Sequence, residues 1–202
     1  MMWVAGPFPH VAELLAQAFL AADYRLVVDV VSLTKASVTA YDSKKNSGLF
    51  NAVVAAEDIR FESHRGFDIR AMVRALWCTL SKGHLQGAST IEQQLVRVIR
   101  QRFEISLLRK VGEVLLATML SKYFDKRTLL EVYLELAYFG WRGNGLRQIC
   151  DRLELQPNQL SRDDAILLAA LLKVPMPRHR SEPYNARLGR RISRIRKLLQ
   201  QA

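Results

Sequence analysis

The residues that could do chemistry fall in a few short groups. Glu57 and Asp58 follow the apolar run Val53-Val54-Ala55-Ala56. A carboxylate at the margin of apolar surroundings is poorly hydrated, which suits it to taking up a proton. The same pair, read alone, is also what a solvated helix end looks like, because acidic side chains mostly face water. Arg109 and Glu113 stand four apart on one predicted helix, so they share a face, and Lys110 lies on the neighbouring line. That spacing equally describes a surface ion pair. Gln93 and Gln94 follow a Gly87-Ala88-Ser89-Thr90 segment leading into a helix, where open backbone N–H groups favour an anion. Ser89 or Thr90 would serve as the N-cap. His64 has no His, Cys or carboxylate partner at metal-ligand spacing, which leaves it as a loop histidine that holds local structure.

The elements that must position these groups are mostly helical. An apolar pattern through Val11, Leu14, Leu15, Ala18 and Phe19 predicts a first helix. Residues 25–41 are rich in Val, Leu, Thr and Ser and predict one or two short strands. Residues 42–48 read as a polar turn. Beyond them the periodicity predicts helices over about 49–61, 69–81, 90–102, 107–124, 126–138, 162–173 and 184–200. The breaks at 62–68, 82–89 and 140–145 read as loops, and Pro175 and Pro177 end a helix. The last helix carries an apolar stripe of Leu188, Ile192, Ile195 and Leu199. Arg190, Arg191, Arg194, Arg196 and Lys197 fill the rest of its surface; such a helix can lie on anionic membrane or contact nucleic acid, but more often docks on its own domain with its charges in water. The expected class is mainly α, in a single domain spanning 1–202, with the first 48 or so residues the least determined.

Composition narrows the setting. Half of the 202 residues are hydrophobic and 24% are charged, which suits a folded core and excludes a disordered chain. A formal net charge of +11 favours polyanions: nucleic acid, anionic lipid head groups or phosphorylated substrates. Charge alone supports only salt-sensitive, non-specific nucleic-acid binding, so no specific nucleic acid is expected. Two cysteines, Cys78 and Cys150, make no disulfide framework and read as partly buried thiols. The apolar region 11–33 is interrupted by Glu13, Asp23, Arg25 and Asp29, so it does not read as a membrane span, and no signal peptide is recognisable.

In their order and spacing these groups resemble the peptidoglycan glycosyltransferases of glycosyltransferase family 51. That family comprises monofunctional enzymes and the N-terminal domains of class A penicillin-binding proteins. Its first motif, E-D-x-x-F-x-x-H-x-G-F-D, is matched at every specified position from Glu57 to Asp68. Arg74 matches the arginine of the following helix. The second motif, G-G-S-T-I-T-Q-Q-L-x-K-N, survives as Gly87-Ala88-Ser89-Thr90-Ile91-Glu92-Gln93-Gln94-Leu95-Val96-Arg97-Val98. The third, R-K-x-x-E, is matched by Arg109, Lys110 and Glu113. The fourth survives as Phe124-Asp125-Lys126, Leu130-Glu131 and Tyr133-Leu134-Glu135.

The resemblance implies a helical fold with a lysozyme-like head lobe and a smaller, membrane-facing jaw lobe. It implies polymerisation of lipid II onto a growing glycan strand, with inversion and loss of undecaprenyl pyrophosphate. A sugar hydroxyl is a poor nucleophile and needs a base, which by resemblance is Glu57. The leaving pyrophosphate gathers charge that fixed cations stabilise, for which Arg74, Arg97, Arg109, Lys110 and Lys126 are the candidates. Glu113, the second catalytic carboxylate, would orient those cations or help hold a divalent metal such as Mg²⁺ or Mn²⁺; no organic cofactor is implied. Asp58, His64, Ser89, Thr90, Gln93 and Gln94 would line the substrate site. Residues 69–86, with Leu76, Trp77 and Leu80, would belong to the jaw. The implied setting is the outer face of the bacterial cytoplasmic membrane, with the membrane surface and other cell-wall synthesis proteins as partners.

The chain departs from the family pattern at Glu92, which replaces a Thr beside the expected pyrophosphate site, and at Val98 and Glu135, which replace Asn residues. An extra negative charge at Glu92 disfavours an anionic substrate unless a cation offsets it. Those departures motivate an alternative, a catalytically impaired relative that binds lipid-linked saccharide or anionic membrane. A lysozyme-like hydrolase is a third reading, against which the number of pyrophosphate-suited cations argues.

Overall fold

A computed structural model of the protein describes residues 8–38, 47–82 and 87–201. The fold is mainly α-helical, and the chain divides into two compact units. One unit contains residues 1–33 and 60–130, the other residues 34–59 and 131–202.

In the first unit, α1 (Phe8–Phe19) packs on α6 (Leu107–Tyr123). It does so through small side chains: Ala12 and Ala16 are fully buried, whereas Leu14 and Phe19 are exposed. Lys122 and Tyr123 at the end of α6 both reach Glu13 of α1. Helix α5 (Ile91–Arg100) lies along α6, with Ile91, Leu95 and Val96 in the core beside Leu116, Met119 and Leu120 of α6. Helix α2 (Ala21–Val38) overturns the strands expected at 25–41, as far as residue 38; residues 39–46, and with them most of the expected turn, lie outside the described residues. The β-branched composition misleads there. Val27 and Val31, four apart, are buried, and Asp23 pairs with the buried guanidinium of Arg100 on α5 at 2.6 Å. A 3.6-residue burial period therefore outweighs β propensity.

The motif loop between α3 (Ser47–Glu57) and α4 (Ile69–Lys82) is held by short-range contacts. A single 3₁₀ turn, Phe61–Ser63, buries Phe61. Asp68 caps α4 by accepting from the backbone N–H groups of Arg70 and Ala71 at 2.9 and 3.1 Å. Gly66 sits at φ +82, and a Cβ there would stand 2.4 Å from the Ala117–Thr118 backbone of α6. Gly66→Ala therefore combines a left-handed backbone with a backbone clash. It is expected to destabilise the fold by about 3 kcal/mol or more. A urea melt within 1 kcal/mol of wild type would show that this loop does not rest on α6.

In the second unit, α3 packs on α9 (Arg162–Leu171), and α10 (Glu182–Gln201) packs on both. Leu49, Ala52 and Val53 of α3 share this core with Ile166, Ala169 and Ala170 of α9 and with Leu188 and Ile195 of α10. Helix α9 starts with a full capping box, Ser161 and Asp164 exchanging hydrogen bonds. The last of the three boundaries between the units falls inside α7 (Lys126–Leu136). After it the expected 140–145 loop proves to be a small antiparallel hairpin, β1 (Tyr138–Gly140) and β2 (Gly143–Asn144), followed by an unexpected short helix α8 (Leu146–Arg152). Both Gly140 at φ +130 and Gly145 at φ +88 meet neighbouring backbone, of Met176 and Glu135, closer than any side chain permits. The remaining predicted helices stand within a few residues of their expected ends. Among the described residues no helix is long and apolar enough to cross a membrane.

Candidate functional site

The first unit gathers most of the motif residues around one carboxylate. Thr90 caps α5: its Oγ1 accepts from the Gln93 N–H at 3.3 Å and donates to the Gly66 carbonyl at 2.8 Å. Gln93 Nε2 donates to the same carbonyl at 3.3 Å, so the start of α5 is tied to the first motif. The cap turns α5 so that Arg97, one turn further on, meets α6. Arg97 forms a two-pronged pair with Glu113, Nε to Oε1 at 2.8 Å and Nη2 to Oε2 at 3.0 Å. Arg109 also donates to Glu113 Oε1, and Lys110 Nζ stands 3.8 Å from Oε2. Lys110 further donates to Ser89 Oγ at 2.8 Å and to Gln93 Oε1. Glu113 is 1% exposed, while Arg97 and Lys110 keep open faces.

Three cations on one buried carboxylate leave a surplus of positive charge with fixed directions. Such an arrangement is preorganised for an anion, because the donors need no reorganisation when charge develops. It is a poor metal site: both Glu113 oxygens already accept from guanidinium groups, and three neighbouring cations oppose a fourth. Burial pushes the Lys110 ammonium pKa down from its ordinary value; Glu113 opposes that shift, and Arg97 and Arg109 add to it.

Beside this cluster lies a second one. Glu92 is completely buried, and Lys126 Nζ is bonded to its Oε1 while sitting 4.4 Å above the Phe61 ring. Ser121 Oγ donates to the same oxygen at 3.3 Å, and His64 Nδ1 is 3.9 Å away. The His64 ring meets Phe61 edge-on at 6.3 Å between centroids. The charge of Glu92 is thus neutralised within the protein, and Lys126 is the cation that offsets it. Gln94 contributes the α5 backbone bond to Thr90 at 3.0 Å. Arg74 does not join either cluster. It lines an open apolar hollow of about 570 Å³ on α4 with Ile69, Arg70, Val73 and Trp77, and Trp77 is 70% exposed. The side chains of Leu76 and Leu80 and residues 83–86 lie outside the described residues.

The second unit holds Glu57 and Asp58 at the end of α3. Asp58 is buried and its N–H continues the helix to Val54 at 2.9 Å. The Glu57 side chain is 9% exposed and pairs with Arg191 of α10, whose Nη2 stands 2.6 Å from Oε1 and donates to the Ala56 carbonyl at 2.7 Å. Arg191, 14% exposed, is therefore not the solvated charge expected of it. It lies three residues after buried Leu188 and four before buried Ile195. That spacing puts it on the docked face of α10.

Residues 28–201 match the family model described as transglycosylase. The chain belongs to the transglycosylase family. Every motif residue named above lies inside the matched span. Among curated relatives, a biosynthetic peptidoglycan transglycosylase of Thiobacillus denitrificans is 39% identical over 153 residues, covering 75% of this chain and 65% of its own. Penicillin-binding protein 1A of Rickettsia prowazekii is 33% identical over 150 residues, 72% of this chain and 19% of that one. A monofunctional glycosyltransferase of Staphylococcus saprophyticus is 36% identical over 112 residues, 55% of this chain and 42% of that one. The chain thus spans about a fifth of the penicillin-binding protein and just under two thirds of the transglycosylase.

Proposed function

We propose that this chain is a peptidoglycan glycosyltransferase that polymerises lipid II into glycan strands and releases undecaprenyl pyrophosphate. The observation that carries the reading is the convergence of Arg97, Arg109 and Lys110 on buried Glu113, at a helix start capped by Thr90. A leaving pyrophosphate needs such a directed surplus of cations. Glu57 is the base that takes the proton of the acceptor hydroxyl, and Ser89 and Gln93 orient Lys110. Mg²⁺ or Mn²⁺, in this reading, accompanies the pyrophosphate of the substrate rather than Glu113, and no organic cofactor takes part. Buried Glu92 presents no charge to substrate, so it is no argument for an impaired enzyme.

The whole chain acts as one transglycosylase domain, with a lysozyme-like head and a smaller jaw that touches the membrane. Exposed apolar side chains support a membrane-facing surface: Ile69, Val73 and Trp77 on α4, and Leu107, Leu108 and Val111 on α6. The setting is the outer face of the bacterial cytoplasmic membrane, in the company of other cell-wall synthesis proteins. The test is incubation of the chain with labelled lipid II in detergent with Mg²⁺ or Mn²⁺. Glycan polymer is expected, and its absence under all those conditions would sink the reading.

Lys110 gives this function a pH signature. Its folded-state pKa is below its unfolded one, so the ammonium is lost at lower pH than an ordinary lysine's, and between the two values stability rises with pH. Activity that needs the charge falls as pH rises through the lowered value. Lys110→Arg keeps the charge and is expected to move the alkaline limb of the kcat/KM profile to higher pH. An unmoved limb would assign it to another group.

A further inference from the structure

Carboxylates accompany the clustered cations of both units described so far. Arg97, Arg109 and Lys110 have Glu113, Lys126 has Glu92, Arg191 has Glu57 and Arg100 has Asp23. A different pattern surrounds the hairpin tip of the second unit. The guanidinium groups of Arg142, Arg152 and Arg178 stand 4.5, 5.2 and 5.5 Å from the centre of the Trp141 ring. Arg180 is bound to Met176 Sδ at 3.4 Å, and the Met176 carbonyl accepts the Trp141 backbone N–H at 2.8 Å. Among the described residues, no carboxylate lies within ion-pair distance of Arg142, Arg152, Arg178 or Arg180.

The cluster is built rather than incidental. Arg152 is held by two backbone carbonyls, those of Trp141 and, at 3.2 Å, Pro177. Arg142 occupies the left-handed region at φ +54, where Gly or Asn would sit at lower cost. Tyr184 is buried, which pushes its phenol pKa up against the pull of Arg180, Arg152 and Arg187, so it supplies no compensating charge. One indole has two faces for cations, and stacking on each contributes little at an exposed site. Crowding further guanidinium groups against it without a counter-ion is unfavourable.

We propose that Trp141 and the arginines around it form a phosphate-binding site. Guanidinium forks match the oxygens of a phosphate in pairs, and a doubly charged phosphate offsets several arginines where a single carboxylate offsets one. The site shares no residue with the Glu113 cluster and does not depend on the proposed polymerase activity. The phosphate belongs either to a lipid head group or to a soluble phosphate compound.

Calorimetry of the full chain with inorganic phosphate at low ionic strength tests it. Saturable binding is expected in wild type, weakened at least about tenfold in Arg142→Gln/Arg178→Gln. Arg190→Gln/Arg194→Gln, exposed on α10 and equal in charge change, should bind as wild type does. Absence of saturable binding, an undiminished double variant, or an equal loss in the charge control would each overturn the site. Circular dichroism checks the fold, and Arg178→Gln alone replaces the double variant if that one misfolds. Cosedimentation with phosphatidylglycerol vesicles, against phosphatidylcholine, then names the source. Loss of vesicle binding in Arg142→Gln/Arg178→Gln, beside loss of phosphate binding, assigns a lipid head group. Loss of phosphate binding alone assigns a soluble compound.

Discussion

Glu57→Gln is expected to lower lipid II polymerisation by a factor on the order of 10² to 10⁴. The melting temperature should change by less than about 5 °C. The two halves of the expectation come from different features of the same side chain. Glutamine keeps an oxygen for Arg191 and preserves the volume at the end of α3, so the packing of α3 against α10 survives. It cannot take a proton from an acceptor hydroxyl. Arg191 supplies the second arm. Its guanidinium binds both Glu57 Oε1 and the Ala56 carbonyl, so it orients the carboxylate relative to its own helix. Arg191→Gln should therefore lower kcat with little change in KM, and Arg191→Lys should restore part of the loss, because a positioning residue acts on the transition state and not on substrate capture. Wild-type turnover by Glu57→Gln would remove Glu57 from the role of base. A rise in KM alone in Arg191→Gln would make Arg191 a substrate contact.

How far the site was legible in the sequence depended on the range of each interaction. Arg109 and Glu113, four apart on one helix, were readable as a pair from spacing, and Thr90 as a cap from its place before an apolar run. Their meaning was not, because the third partner, Arg97, comes from another helix. Glu92 looked like an intruding charge; only the packing of α5 against α6 shows Lys126 and Ser121 closing over it. Arg191 was hidden among the six basic residues of α10, although its offsets of three and four from Leu188 and Ile195 marked it as inward-facing. The fold followed the same rule. Long helices with clear periodicity were placed to within a few residues. In α2 the Val and Thr content suggests strands by residue type, whereas Val27 and Val31 carry a helical period. The β1–β2 hairpin and α8 depend on Gly140 and Gly145 meeting the backbone of Met176 and Glu135, contacts that no local pattern encodes.

Glu113 is where stability and chemistry meet, and its replacement separates them. Glu113→Ala removes the shared counter-ion of Arg97, Arg109 and Lys110 from a nearly fully buried position. Breaking a buried ion pair typically costs about 3–5 kcal/mol. Arg97 and Lys110 keep solvent-exposed faces, so hydration recovers part of that, and a loss of about 2–4 kcal/mol is expected in a urea melt. Glu113→Gln retains the shape and one acceptor oxygen and should lose less stability. Its polymerase activity should nonetheless fall by at least about 10². The physical reason is direction rather than charge. Without Glu113 the cluster gains one unit of positive charge, so capture of a pyrophosphate by Coulomb attraction alone would improve. Activity that depends on donors held in place would fall. Inorganic pyrophosphate distinguishes these: it should raise the melting temperature of Glu113→Gln at least as much as that of wild type, while turnover is lost. A variant that polymerises lipid II as well as wild type would show that the cations need no common anchor, and the proposed role of this cluster would fall with it.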